Sequence, residues 1–161
     1  MDSLLKNPEE LLPYHTLTQI LALKSGVVHA SGTADTVLSA LQCMAEMHIG
    51  FLVVLEGEKL VGVFSERDYA RKVVLAGRAS HNTLVGEVMT REVITVTPAD
   101  RFGDCMRLMN QHGIRHLPVV EGGKVLGVIS MRDLLGEAVA HHEKVIMDLE
   151  LERLTMLNSP V

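Results

Sequence analysis

Hydrophobic and polar positions along the chain fall into the same order twice. From Val93 to Val96 a short β-rich stretch is followed by Thr97-Pro98 and Asp100, a pattern that reads as an N-cap, a first helical position and an acidic first turn. Phe102, Met106 and Met109 then recur at helical spacing beside Cys105, and Gly113 marks the helix end. Leu117–Val120 and Val125–Ser130 read as two strands joined by the turn Glu121-Gly122-Gly123-Lys124. A new helix is expected from about Met131. The first half repeats this order, with a helix over Asp35–His48, hairpin strands Phe51–Leu55 and Leu60–Ser65, and a helix over Glu66–Ala76.

The two halves align without gaps at an offset of 65 residues. Between Met44–Tyr69 and Met109–Leu134, 12 of 26 positions are identical, which makes this a duplicated unit rather than a chance likeness of two strands. Each copy is β-α-β-β-α, and neither alone could bury both faces of so small a sheet. The expected architecture is therefore α+β, with two copies packed through their sheets around one joint core and related by an approximate two-fold axis. The expected divisions are an extension over 1–16, a first repeat over 17–80, a second over 81–139, and a C-terminal helix or tail over 140–161. Gly77–Thr90 reads as a loop followed by a short helix, with Leu17–Lys24 as its counterpart before the first copy. Val139, Val145, Ile146, Leu149, Leu151 and Leu154 predict an amphipathic C-terminal helix that packs on the module or on a second subunit.

Composition narrows the picture further. Aromatic residues make up 3% of the chain and Trp is absent, so the core is aliphatic with nine methionines. A net charge of −5 without a basic stripe argues against a nucleic-acid partner. No apolar run reaches the length of about 18 residues that a membrane span needs, and the N-terminus lacks a secretory pattern. A cytoplasmic setting is the expectation, with Cys43 and Cys105 as buried thiols in helical patterns. His141-His142 point about 100° apart on a helix and do not make a metal pair, so no metal site is expected. Catalytic nucleophile elbows, phosphate-binding Walker loops and dinucleotide glycine fingerprints are missing from the sequence.

The most specific signal is the polar tail after the last strand of each copy. Gly62-Val63-Phe64-Ser65-Glu66-Arg67-Asp68 and Gly127-Val128-Ile129-Ser130-Met131-Arg132-Asp133 stand in register. Paired in this way, they resemble a tandem pair of CBS domains, a Bateman module, covering Leu17 to about Val139. The resemblance implies a stand-alone regulatory module that binds an adenosine-containing ligand (AMP, ADP, ATP, NAD or S-adenosylmethionine). Many proteins with such pairs also carry a catalytic or channel domain, but only about 16 residues precede the repeats here and about 22 follow them, so no enzyme activity and no required cofactor are expected.

Chemistry is consistent with that implication. A carboxylate accepts two hydrogen bonds at once, matching the two vicinal hydroxyls of a ribose, which makes Asp68 and Asp133 candidates for that contact with Ser65 and Ser130 beside them. Arg67, Arg71, Lys72 and Arg132 are candidates for phosphate, helped by the helix start. Arg115 and His116 join them, because the first copy has Gly50 and Phe51 at those positions, and the two sites are therefore expected to be unequal. If His116 touches phosphate, binding should strengthen as pH falls from about 8 to 6. Val28, Ile49, Val93 and Ile114 are candidates for an apolar adenine slot. The plainer reading of each Ser-x-x-Asp is a helix N-cap, and the two roles can coexist. The competing function is an interaction or scaffold protein with vestigial clefts. The expected partners are a nucleotide, a second copy of the chain in a disc-like homodimer, and an unknown regulated protein.

Overall fold

The structure is a computed structural model that describes residues 14–157. The elements run in chain order as α1 (Leu17–Ala22), β1 (Ala30–Gly32), α2 (Val37–Met47), β2 (Phe51–Glu56), β3 (Lys59–Ser65) and α3 (Glu66–Asp68). After α3 the chain continues as π-helical turns over Tyr69–Val74. Then follow α4 (Val85–Val88), α5 (Phe102–His112), β4 (His116–Glu121), β5 (Lys124–Ser130) and α6 (Met131–Leu157). The expected extension over 1–16 lies mostly outside the described residues.

Both hairpins form where the alternation and the glycines place them. Strand β2 pairs antiparallel with β3, and β4 with β5, each with a register shift at the equivalent point, between Val54 and Leu55 and between Val119 and Val120. Gly57, Gly122 and Gly123 sit at positive φ in the turns, a region that side-chain-bearing residues seldom enter. The strand β1 runs parallel to β2. Its expected counterpart over Val93–Val96 shrinks to a single bridge between Val96 and Val119.

Helix starts and ends follow local capping chemistry. Thr36 caps α2 through its side chain, and Gly113 closes α5 at φ 62°. Thr97 does not cap α5. Its N–H and hydroxyl donate to Asp100 at 2.6 and 2.9 Å, closing a separate turn, and the helix begins only at Phe102, after Arg101 at the N-cap position. The same turn recurs in the first copy, where Gly32 N–H donates to Asp35 at 2.6 Å. The helix expected over Glu66–Ala76 is present only as α3 and the π-helical turns, in which Leu75 N–H reaches Ala70 and Arg78 N–H reaches Val73.

Buried side chains form two clusters, not the single joint core expected. Val37, Met44, Leu52, Val54, Phe64 and Val73 make the first, and α4 completes it with Val85 and Val88. Cys105, Met109, Leu117, Val119, Ile129 and Leu134 make the second, and α1 completes it with Leu17 and Ile20. The connectors are therefore exchanged, since α1 precedes the first copy in sequence but seals the second. The division at 80/81 thus separates neighbours in sequence, not in space. The reason is that each five-element copy leaves one open face, and the short apolar helix that fits it comes from the other side of the pseudo-two-fold axis. Leu17 and Val85 are both fully buried, which shows how completely each plug is seated.

The halves meet along β3 and β5 and at the axis itself. Phe51 and His116 occupy equivalent positions, and their rings stack at 4.6 Å with an interplanar angle of 12°. Arg67 reaches across to the carbonyl of Gly113 at 2.9 Å. The helix expected after Met131 and the C-terminal helix are one continuous element. Its inner face packs at Leu134 and Glu137, whereas Val139, Ile146, Leu149, Leu151 and Leu154 stay exposed. Among the described residues, no helix is long and apolar enough to cross a membrane.

Candidate functional site

Each Ser-x-Arg-Asp tail stands where the last strand of a hairpin turns into a helix. At the first, Ser65 is extended (φ −130°, ψ 164°) and its hydroxyl accepts the Asp68 N–H at 3.2 Å. Asp68 answers by accepting the Ser65 N–H at 3.0 Å and its hydroxyl at 2.8 Å. Ser130 and Asp133 repeat the arrangement, with bonds of 2.7, 2.8 and 3.2 Å. The loop before each hairpin is tied to the same point, since Glu66 N–H donates to Gly50 and Met131 N–H to Arg115. The capping role of both motifs is thus realised.

Both carboxylates are covered by a lysine, but from different directions. Lys72, one turn along from Asp68, sits 2.7 Å from its Oδ1, and the Thr90 hydroxyl donates to the same oxygen at 2.9 Å. All four acceptor positions of Asp68 are thereby filled. Asp133 is covered by Lys24 from the segment after α1, at 2.8 Å on Oδ2, and Lys24 also donates to the Val128 carbonyl at 2.7 Å. Burial pushes both carboxyls up, but the lysines and the serine hydrogen bonds, with Thr90 at Asp68, outweigh it and hold both below the ordinary 3.8. Both are anionic at neutral pH.

A single cleft of about 1150 Å³ runs between the halves and carries the two motifs. Ser65, Arg67, Asp68, Arg71, Lys72, Arg115, His116, Ser130 and Arg132 line it, as do Ile49, Val93 and Ile114. Two expected residues do not. Val28 is absent from the wall, where its neighbours Val27 and His29 stand instead. Asp133 lies behind Ser130 and Lys24 rather than on the cleft wall. Lys24, Thr90 and Phe51 are lining residues that sequence reasoning missed.

Electrostatically, the cleft departs from the rest of the chain. Its walls hold six Lys and Arg residues, Lys24 among them, against three carboxylates, Glu66, Asp68 and Glu92. The guanidinium groups of Arg71, Arg115 and Arg132 have no hydrogen-bond or ion-pair partner among the described residues. His116 is not a further cation. Burial, with Arg115 and Lys24 beside it, pushes its pKa down to about 4, and stacking on Phe51 fixes the ring as a neutral wall. The pH dependence expected between 8 and 6 is therefore not expected to come from this group. The halves also differ at one further pair. A side chain at Gly50 would come within 2.8 Å of the Glu66 carboxylate, whereas the second copy carries Arg115 and Met131 at these positions.

Comparison with known proteins agrees with the geometry. The family model for the CBS domain matches residues 22–75 and 85–140. The CBS domain-containing protein CBSX3, mitochondrial, of Arabidopsis thaliana is 39% identical over 127 residues, 76% of this chain and 59% of that protein. The chain thus spans little more than half the length of that relative. A solved protein with CBS domains from Burkholderia ambifaria superposes with a TM-score of 0.75 at 43% identity, covering 78% of this chain and 95% of that one. The CBS domain pair of protein MJ0100, solved with 5′-methylthioadenosine and S-adenosyl-L-methionine, shares the fold with a TM-score of 0.65 at 23% identity, over 74% and 96% of the two chains. With two matched domains, exchanged connectors and paired strand-to-helix motifs around one cleft, this chain belongs to the CBS-domain family.

Proposed function

We propose that this CBS pair is a ligand-sensing regulatory module whose cleft takes an adenosine-containing anion (AMP, ADP, ATP or NAD) and that ligand occupancy alters a partner through a change in shape or assembly. The carrying observation is the charge of the cleft. In a chain of net charge −5, the walls collect six cations, of which three are uncommitted among the described residues. Such a lining suits phosphate, which Arg recognises through paired donors. It suits S-adenosylmethionine less, because that ligand carries a positive sulfonium, and 5′-methylthioadenosine has no phosphate. The adenosine part of the proposal is supported by the Ser-x-x-Asp pair and by the ligands of the related pair of protein MJ0100. Ile49, Val93 and Ile114 supply the apolar wall for a purine. The role is binding, with no reaction assigned, and the acting form is a homodimer.

Thermal-shift and calorimetric titrations with AMP, ADP, ATP, NAD, S-adenosylmethionine and adenosine test the proposal. A ligand at a hundred times its Kd raises stability by about 2.7 kcal/mol, well within reach of both methods. The anionic nucleotides should give the larger shifts. No shift and no heat with any of the six would refute the reading and favour an interaction module instead.

A further inference from the structure

The two motifs match in sequence, but their covers do not. Lys72 belongs to the helical turns that Asp68 begins, and it also donates to Thr90 at 2.9 Å. Thr90 is itself fixed by paired backbone bonds to Val63 at 2.8 and 2.9 Å. Freeing Asp68 means dismantling that network. Position 137, the equivalent of Lys72, is a glutamate that holds His15 at 2.7 and 2.9 Å, so the second motif has no lysine of its own. Its cover is Lys24, which arrives from outside the repeat.

Lys24 stands in the irregular stretch between α1 and β1, beside Gly26 at φ 69°. Its neighbours Leu23 and Val27 are 76% and 62% exposed, so neither pins the stretch to a core. The lysine side chain is 37% exposed and lines the cleft. Among the described residues, every hydrogen bond to Asp133 falls on Oδ2, and Oδ1 accepts none. One rotation of a flexible side chain would therefore uncover the carboxylate, leaving Oδ1 free to accept a ribose hydroxyl while Oδ2 keeps the Ser130 N–H and hydroxyl, and the Ser130 hydroxyl could turn to the sugar in its place. The displaced ammonium can rehydrate, but it gains most from a new anion, because the wall it turns along already holds Arg115 and Arg132.

We propose that Lys24 is a tethered gate on the second motif, which blocks Asp133 until a ligand brings its own phosphate, and then moves from the carboxylate to that phosphate. The proposal rests on the adenosine-anion reading of the cleft and adds the selecting residue. A phosphorylated nucleotide exchanges one ion pair for another on entry. Adenosine must break the Lys24–Asp133 pair and supplies nothing in return. Lys24 thus selects for phosphate by penalising ligands that lack it.

The experiment is calorimetry on the full chain with AMP and adenosine, comparing wild type, Lys24→Met, Lys24→Gln and Lys24→Arg. Both neutral variants should strengthen adenosine binding, weaken AMP binding, and narrow the AMP-to-adenosine affinity ratio by about tenfold, the scale of one charge-assisted contact. Lys24→Arg should keep the wild-type ratio. An unchanged ratio in the neutral variants overturns the gate while leaving the adenosine-anion reading intact, as does a wild type that binds the two ligands equally. Failure of wild type and all variants to bind either ligand overturns both.

Discussion

Asp68→Ala removes a carboxylate that accepts four hydrogen bonds, and its cost can be worked through group by group. Loss of an N-cap partner costs about 1 kcal/mol. Thr90 loses an acceptor in a half-buried position, which adds about 1 kcal/mol. Lys72 is 40% exposed and rehydrates, so it adds little. The expected loss is about 2 kcal/mol, or a fall in Tm of about 4–8 °C for a chain of this size. Asp133→Ala loses the same cap, but its cover, Lys24, also rehydrates, so about 1 kcal/mol is expected. Urea denaturation at several pH values measures both. The depressed pKa of Asp68 means that its contribution is complete above the unfolded value of about 3.9 and fades as pH falls through the folded value. The gap between wild type and Asp68→Ala should hold from pH 7 to 5 and close below pH 4. Equal stabilities at pH 7, or a gap that widens in acid, would refute the reasoning.

Leu17→Ala should cost about 2–5 kcal/mol, and hydrogen exchange should show lost protection at Leu117 and Ile129 before Leu52 and Phe64, because α1 seals the second core. Gly62→Ala should destabilise by about 1–3 kcal/mol, since a Cβ there would come within 2.5 Å of Met89 Sδ and 3.0 Å of the Thr90 carbonyl, whereas Gly136→Ala in α6 meets nothing within 4 Å and should stabilise by about 0.5–1 kcal/mol; thermal melts distinguish the two. The imidazole of His116 should show no titration by NMR between pH 8 and 6, in keeping with a pKa of about 4. Light scattering should report a homodimer, and Leu135→Glu with Val139→Glu should convert it to a monomer, because these side chains are 55% and 59% exposed on one face of α6.

What could be read from the sequence was whatever depends on near neighbours. The hairpins follow from alternation and turn glycines, and the caps at Ser65 and Ser130 follow from a hydroxyl three residues before a carboxylate. The offset of 65 exposed the duplication, and the paired motifs pointed to the cleft. Thr97 misled because a Thr-x-x-Asp turn closes on itself as readily as it starts a helix. The exchange of α1 and α4 could not be read, since a repeat reports which segments are alike and not which face each one covers. Lys24 was invisible for a related reason. Its carboxylate lies 109 residues away, and a lone lysine in a loop carries no pattern. The charge state of His116 could not be read either, because burial and the adjacent cations that keep the ring neutral come from residues distant in sequence as well as from Arg115.

The most direct test of the account is an amide NMR titration of the full chain with AMP. Shifts should concentrate at Ser65–Asp68, Gly113–His116 and Ser130–Asp133, the segments that form the cleft and the motif behind its wall, and they should saturate with ligand. Shifts confined to the outer face of α6, or none at millimolar AMP, would contradict it.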